Sequence, residues 1–343
     1  MTVEYEAFMQ ETGSEKPKLN TLADIAAYFA KMDSKYQFFH AKLFCCVVPQ
    51  PENFLSFLAG LQLSKAAFPN SHPAIIVVGK LGPLVPIQTY PILAFENDKL
   101  QLSFHVSELK LPDFNYLAMI APAPKSEAGT SYQLPNESIN FLRSLLSLAF
   151  GKLPFYAAVA DFDFDASGTV SIPSGVIRRP LYGDFFNLLD IGTINDVMTR
   201  LALQQTEFRG RFQRACNFFD MAFDQQDETF RFSSYWIALE IIVGGTSDAI
   251  RSKLTKAYGK NNKSFADDHL LFKEIETIRH DLMHKGLFGT LTSYQERLLQ
   301  LYFWDIVIHQ IGLKSRGLAM MFVKSGMIEE ERKWRESFPT HAR

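Results

Sequence analysis

Apolar residues at mixed three- and four-residue spacings over residues 21–48, among them Leu22, Ile25, Ala26, Phe29, Met32, Tyr36 and Phe39, predict one or two helices ending before Pro49. A further helix is predicted over 54–68. At Ala74 the texture changes: 74–78 is a β-branched run, prolines recur at Pro83, Pro86 and Pro91 beside the strand-like stretch 87–93, and 100–106 alternates as a strand does. Residues 139–150 read as a helix, and 155–164 followed by 169–172 as a hairpin turning at Asp165-Ala166-Ser167-Gly168. After Pro180 the strand signals fade, and helical patterns separated by glycines and short polar breaks continue to Glu336. The expected architecture is an N-terminal α/β (α+β) domain over residues 1–185, followed by an all-α helical bundle over 193–330. Neither an internal repeat nor a low-complexity segment interrupts it.

Three helices of the second half carry most of the pattern. The helix predicted over 270–285 aligns Leu271, Ile275, Ile278 and Leu282 on one stripe, and Gly286 follows as a natural stop. An upstream helix forms a stripe from Phe232, Trp236, Leu239 and Val243, with Glu240 on its flank. A partly buried carboxylate there requires a partner, either Arg279 or a backbone group, or else a structural ion pair in the helical core. The helix over 293–311 is apolar on nearly all sides from Leu298 to Ile308, so it must be covered almost completely, in part by a second copy of the chain. Asp305 and His309, four residues apart on it, are expected to pair.

Composition narrows the class without choosing a function. A 343-residue chain that is 47% apolar can offset its ordering entropy, so a globular protein of two domains is expected. The formal net charge of −2 announces no global positive field, which leaves room only for a local basic groove. Cys45, Cys46 and Cys216 have no zinc or redox spacing, as expected of a reducing cytosol. No secretory signal is visible at the N-terminus, and the most apolar long stretch is interrupted by Gln300, Asp305 and His309. A cytoplasmic protein without a membrane partner is the expectation.

The chemistry gathers at Arg279-His280-Asp281-Leu282-Met283-His284. An imidazole can take the proton of a ribose 2′-hydroxyl, and a guanidinium can stabilise the charge of a phosphorane. Neither step needs a metal. The run Ile278-Arg279-His280-Asp281-Leu282-Met283-His284-Lys285-Gly286 resembles the HEPN motif: an arginine, a polar residue, three variable residues and a histidine, often with a nearby glycine. The upstream Trp236-Ile237-Ala238-Leu239-Glu240 and a short helix at Leu254 add a resemblance to the Apea-like HEPN subfamily in order and spacing, over about residues 193–323. The resemblance implies an RNA endonuclease acting as a homodimer in toxin or antiviral defence, with Arg279 and His284 of each copy facing the other across a shared cleft. It further implies cleavage that leaves a 2′,3′-cyclic phosphate. His280 occupies the family's polar position as a third catalytic candidate, and Glu240 and Asp281 are supporting residues. At about 100° per residue, 280 and 284 share a face while 279 and 284 lie about 140° apart.

Rival readings of the same residues are weaker. His280-Asp281-Leu282-Met283-His284 imitates the zinc-hydrolase helix, yet Asp281 is one methylene short of the glutamate needed as base and no third ligand is well spaced. The acidic run at Asp161, Asp163 and Asp165 suggests a calcium loop, but Gly168 comes late and Ile172 stands where the bidentate glutamate belongs. Cofactor and metal are therefore expected to be absent. Basic residues gather at Arg200, Arg209, Arg211 and Arg214, and at Arg251, Lys253, Lys256, Lys260 and Lys263. Arg251, Lys253 and Lys256 are the candidates for RNA phosphates. The N-terminal half has no phosphate loop, dinucleotide fingerprint or nucleophile elbow, and a sensing role for it, with a regulatory ligand or an antitoxin as partner, follows from domain logic alone. The reading from another class is a non-catalytic HEPN module that binds RNA or protein and uses the bundle to dimerise.

Overall fold

Helix α1 (Leu22–Met32) begins where Thr21 and Asp24 close a reciprocal capping box, with the Asp24 N–H reaching Thr21 Oγ1 at 3.1 Å and the Thr21 N–H reaching Asp24 Oδ2 at 2.9 Å. The computed structural model describes residues 6–7, 21–46, 61, 65–68, 73–78, 87–96, 99–108, 115–124, 133–150, 157–169, 189–225, 227–262, 264–286 and 291–337. These fall into two compact units, Met1–Thr199 and Arg200–Arg343.

In the first unit the chain leaves α1 and enters a strand, β2 (Tyr36–Cys46), where sequence spacing predicts more helix. The physical reason is how brief its alternation is. Phe39, Ala41 and Leu43 point one way and His40, Lys42 and Phe44 the other, so a period of two runs from Phe39 to Leu43, but it is short and flanked by apolar Phe38 and Phe44. β2 is one of the inner strands of an antiparallel sheet ordered β1-β3-β6-β2-β7, with β1 (Glu6–Ala7), β3 (Ile75–Val78), β6 (Asn115–Pro124) and β7 (Ala157–Asp165). β4 (Ile87–Glu96) and β5 (Lys99–Glu108) form a separate antiparallel pair in register from Ile87↔Glu108 to Glu96↔Lys99. α1 covers one face of the larger sheet through stacked Phe29 and Phe39, whose centroids are 5.6 Å apart. α2 (Gln133–Phe150) covers the other, with Arg143 over the Phe44 ring at 5.7 Å and Lys42 donating to Asn140 Oδ1 at 3.4 Å.

β7 ends in the expected turn. Gly168 N–H donates to the Asp165 carbonyl at 2.9 Å, and Asp165 N–H to the Thr169 carbonyl at 3.1 Å. Gly168 has φ +80°, and a Cβ there would come within 3.0 Å of Ala23 N. The acidic run is explained by this frame. Asp163 accepts from His40 Nδ1 at 2.7 Å, and Asp165 accepts from the Ser167 hydroxyl and from the Ser167 and Thr169 N–H groups, which hold its carboxyl below the usual range. The returning strand beyond Thr169 lies outside the described residues. So does most of the helix expected over 54–68, of which Lys65–Ala67 is a 3-10 turn.

The second unit is helical throughout its described residues. α3 (Ile191–Ala202) carries the division between the units, and α4 (Thr206–Asp224) pairs lengthwise with α5 (Glu228–Val243). There follow α6 (Ser247–Ala257), α7 (Ser264–Leu270), α8 (Phe272–Lys285), α9 (Ser293–Gln310), α10 (Leu318–Lys324) and α11 (Met327–Ser337). An α+β part followed by a helical part is thus the fold class of the described residues. No helix among them is long and apolar enough to cross a membrane.

α9 is the axis of the helical unit. It packs against α5, α6, α10 and α11, and every residue from Leu298 to Ile308 is buried by this one chain. The expectation that a second copy must cover part of α9 is corrected, because its neighbours in the same unit suffice. The expected Asp305–His309 pair is likewise replaced. Asp305 is fully buried and accepts from the Tyr258 hydroxyl at 2.5 Å and from the Leu318 and Ala319 N–H groups at 3.0 Å each. It caps α10 and ties it to the end of α6.

Candidate functional site

The helix bearing Arg279 and His284 does not run unbroken from 270. Leu271 adopts a left-handed conformation, φ 59° and ψ 26°, which ends α7 and starts α8 at Phe272. The buried anchors of α8 are Phe272 and Ile275, while Leu271, Ile278 and Leu282 of the expected stripe are half-buried. Such a conformation costs a non-glycine residue about 1–2 kcal/mol, so the surrounding packing must impose it. At the other end Gly286, φ 62°, closes the helix by donating to the Asp281 carbonyl, which is the expected stop.

Glu240 projects from the fourth turn of α5, where Phe232, Trp236, Leu239 and Val243 form the expected buried stripe. Its Oε1 accepts from Trp236 Nε1 at 2.8 Å and lies 3.8 Å from Arg279 Nη2. The indole therefore orients the carboxylate, which faces the guanidinium as an ion pair beyond hydrogen-bond distance. Both side chains remain about a third exposed, 31% for Arg279 and 30% for Glu240, so the guanidinium is still reachable from solvent. Trp236 is held in turn against Phe272, with ring centroids 6.0 Å apart, which links α5 to the first turn of α8.

His280 and His284 are exposed, with ring centroids 4.6 Å apart and planes inclined by 46°. Asp281 pairs with Lys285 at 2.6 Å, an i,i+4 ion pair directed away from a supporting role toward either histidine. The structure thus joins Glu240 to Arg279 and His280 to His284, and leaves Asp281 with a lysine. Among the described residues no three His, Cys, Asp or Glu side chains converge as a metal-ligand set.

The three cations expected on RNA separate. Arg251 donates to Asp248 at 2.8 Å, to Asp267 at 3.2 Å and to Glu276 through Nη2, and its guanidinium carbon lies 5.1 Å from the centroid of the Phe272 ring. Three carboxylates and an aromatic face bind α6, α7 and α8 together through this one side chain. The guanidinium is committed to the fold, which leaves phosphate the weaker claim on it. Lys253 and Lys256 sit instead beside His309 of α9; burial first, and then these two charges, push the His309 imidazole below its usual range. This grouping was hidden in the sequence because the Asp305 spacing suggested a different partner. In the other basic cluster Arg209 donates to Thr206 Oγ1 at 3.2 Å, and Arg211 packs over Phe208 with Nη1 2.4 Å from where a Gly244 Cβ would stand.

Comparisons of the chain with protein-family models, with curated proteins and with solved structures return no match. The functional reading therefore rests on these residues and their geometry.

Proposed function

We propose that the helical unit is a metal-independent endoribonuclease of the HEPN type, with His284 as general base toward the ribose 2′-hydroxyl and Arg279 as the cation that stabilises the phosphorane. The observation that carries the reading is the restrained Arg279. A guanidinium paired at 3.8 Å with Glu240, whose carboxylate is oriented by Trp236, stands immediately before an exposed imidazole pair on the same helix. Preorganised charge of this kind is what transition-state stabilisation requires. His280 orients the substrate or shares the proton, and Lys253 and Lys256 receive the RNA backbone in place of Arg251.

Dimerisation belongs to the same proposal. Ile237 on α5 and Met283 on α8 are exposed at 38% and 64%, close in sequence to Glu240 and Arg279, and a second copy seated there would bring two sites into one cleft. Light scattering of the wild type and of Met283→Asp tests this, and a wild-type monomer at working concentration overturns it. A toxin or defence setting is tested by expression in cells, where the wild type halts growth and Arg279→Ala does not.

The decisive experiment is cleavage of total RNA by purified protein in EDTA, with Arg279→Ala and His284→Ala of verified fold beside the wild type. Cleavage by the wild type alone, with 2′,3′-cyclic phosphate ends, supports the reading. Cleavage only with added metal, or products with 3′-hydroxyl ends, overturns the mechanism. No cleavage under any condition leaves the helical unit as a binding module.

A further inference from the structure

His280 and His284 are the only histidine pair whose rings the structure places together among the described residues. His40 is bound to Asp163, His269 packs at a tilt against Phe265 and His309 lies beside two lysines. No hydrogen bond or ion pair to a described residue engages the His280 or His284 ring, both are exposed, and their centroids are 4.6 Å apart. Two nitrogens bound to one tetrahedral ion at about 2.0–2.1 Å lie about 3.3 Å from each other. Exposed rings one turn apart on a helix face, their centroids already 4.6 Å apart, reach that spacing by side-chain rotation alone.

We propose that His280 and His284 chelate one borderline divalent ion, zinc above all, and that the bound ion holds the site inactive. Imidazole nitrogen suits Zn²⁺, Ni²⁺ and Cu²⁺, whereas Mg²⁺ and Ca²⁺ demand oxygen ligands that this pair does not offer. Asp281, the nearest carboxylate in sequence, is taken by Lys285, and no described residue completes a three-ligand set, so water fills the remaining positions. Such a site binds reversibly. It differs from a hydrolase centre, which needs three protein ligands and a placed general base. The inhibitory consequence rests on the proposed nuclease: the lone pair that would accept the 2′-hydroxyl proton is donated to the ion, and a dication then stands beside the Arg279 helix turn. The binding itself rests only on the two rings.

The test is calorimetric titration of ZnCl₂ into the full chain, with MgCl₂ as comparison. One zinc per chain is expected and no magnesium, with affinity falling at least tenfold in His280→Ala and in His284→Ala. The double change His284→Lys with Lys285→His preserves composition but sets the two rings five residues apart, about 140° around the helix, so it also loses the site. Undiminished zinc binding in these variants, or equal binding of magnesium, overturns the chelate. Cleavage assays separate the second half: a wild type active in EDTA must lose activity as zinc fills the calorimetric site and regain it on chelation. If zinc saturates the site and cleavage continues, inhibition is refuted while the nuclease stands. If no cleavage occurs at all, the nuclease and its inhibition fall together, and calorimetry still decides the chelate.

Discussion

Replacing Glu240 with glutamine separates a positioning residue from a structural one. The amide oxygen keeps the acceptor for Trp236 Nε1, now at 2.8 Å, while the charge facing Arg279 at 3.8 Å is removed. Because both partners are about a third exposed, solvent screens the pair and its share of stability is within about 1 kcal/mol. Catalysis is affected by two opposed changes. An unneutralised Arg279 attracts phosphate more strongly, so KM falls by roughly two- to threefold, about 0.5 kcal/mol of ground-state binding. The guanidinium also loses its restraint, and a loss of about 1.4 kcal/mol of transition-state stabilisation lowers kcat by about tenfold. Steady-state cleavage of a single-stranded RNA oligonucleotide, with urea unfolding of the same samples, reads both. Unchanged kcat at unchanged stability refutes the positioning role. A stability loss above about 2 kcal/mol with proportionate loss of folded protein refutes it differently, by making the pair a clasp of the fold.

Other expectations concern the frame around the site. Asp305→Ala strands the Tyr258 hydroxyl and the Leu318 and Ala319 N–H groups in the interior and costs about 3 kcal/mol in urea unfolding, at roughly 1–3 kcal/mol for each unsatisfied group less the relief of a buried charge; a cost under 1 kcal/mol would show that α10 is held by other contacts. The His309 imidazole is held below its unfolded value, so the unfolded chain binds the proton first and stability declines as pH falls from about 6.5 through the folded value. His309→Gln flattens that decline, and an unaltered pH profile of the unfolding midpoint would exclude the group. Leu271→Val, β-branched at φ 59°, lowers stability by about 2 kcal/mol, whereas Leu271→Gly stays within about 1 kcal/mol because relief of strain offsets lost packing; equal effects of the two changes would mean that backbone strain is not what the position stores.

How far the sequence could be read depended on whether an element has one wet face. α5, α8 and the pair β4 and β5 were visible because polar residues mark their outer sides or because turn residues bound them. β2 and β6 were not, since the alternation of His40 and Lys42 with Phe39, Ala41 and Leu43 is short and flanked by apolar Phe38 and Phe44, and Leu117 through Ala121 of β6 are wholly buried. α9 misled in the opposite sense. Its complete burial was legible, but a single sequence does not say whose atoms do the covering, and α5, α6, α10 and α11 supply them. The site divides along the same line. Periodicity placed Glu240 on the flank of a buried stripe, with Arg279 as one of the partners open to it, and set His280 above His284; the pairing of Glu240 with Arg279 joins two helices and comes from the fold. It could not assign Arg251, whose carboxylate partners come from α6, α7 and α8, nor bring His309 to Lys253 and Lys256. Cations on a helix face look alike until the carboxylates of neighbouring helices are placed. Where they arrive, as at Arg251, the cation belongs to the fold; where they do not, as at Lys253 and Lys256, a positive surface is left for an anionic ligand. That distinction directs the proposed RNA path along the lysines toward Arg279, and charge reversal at Lys253 and Lys256 together should then weaken RNA binding more, and flatten its salt dependence more, than the loss of Arg251 in a chain that still folds.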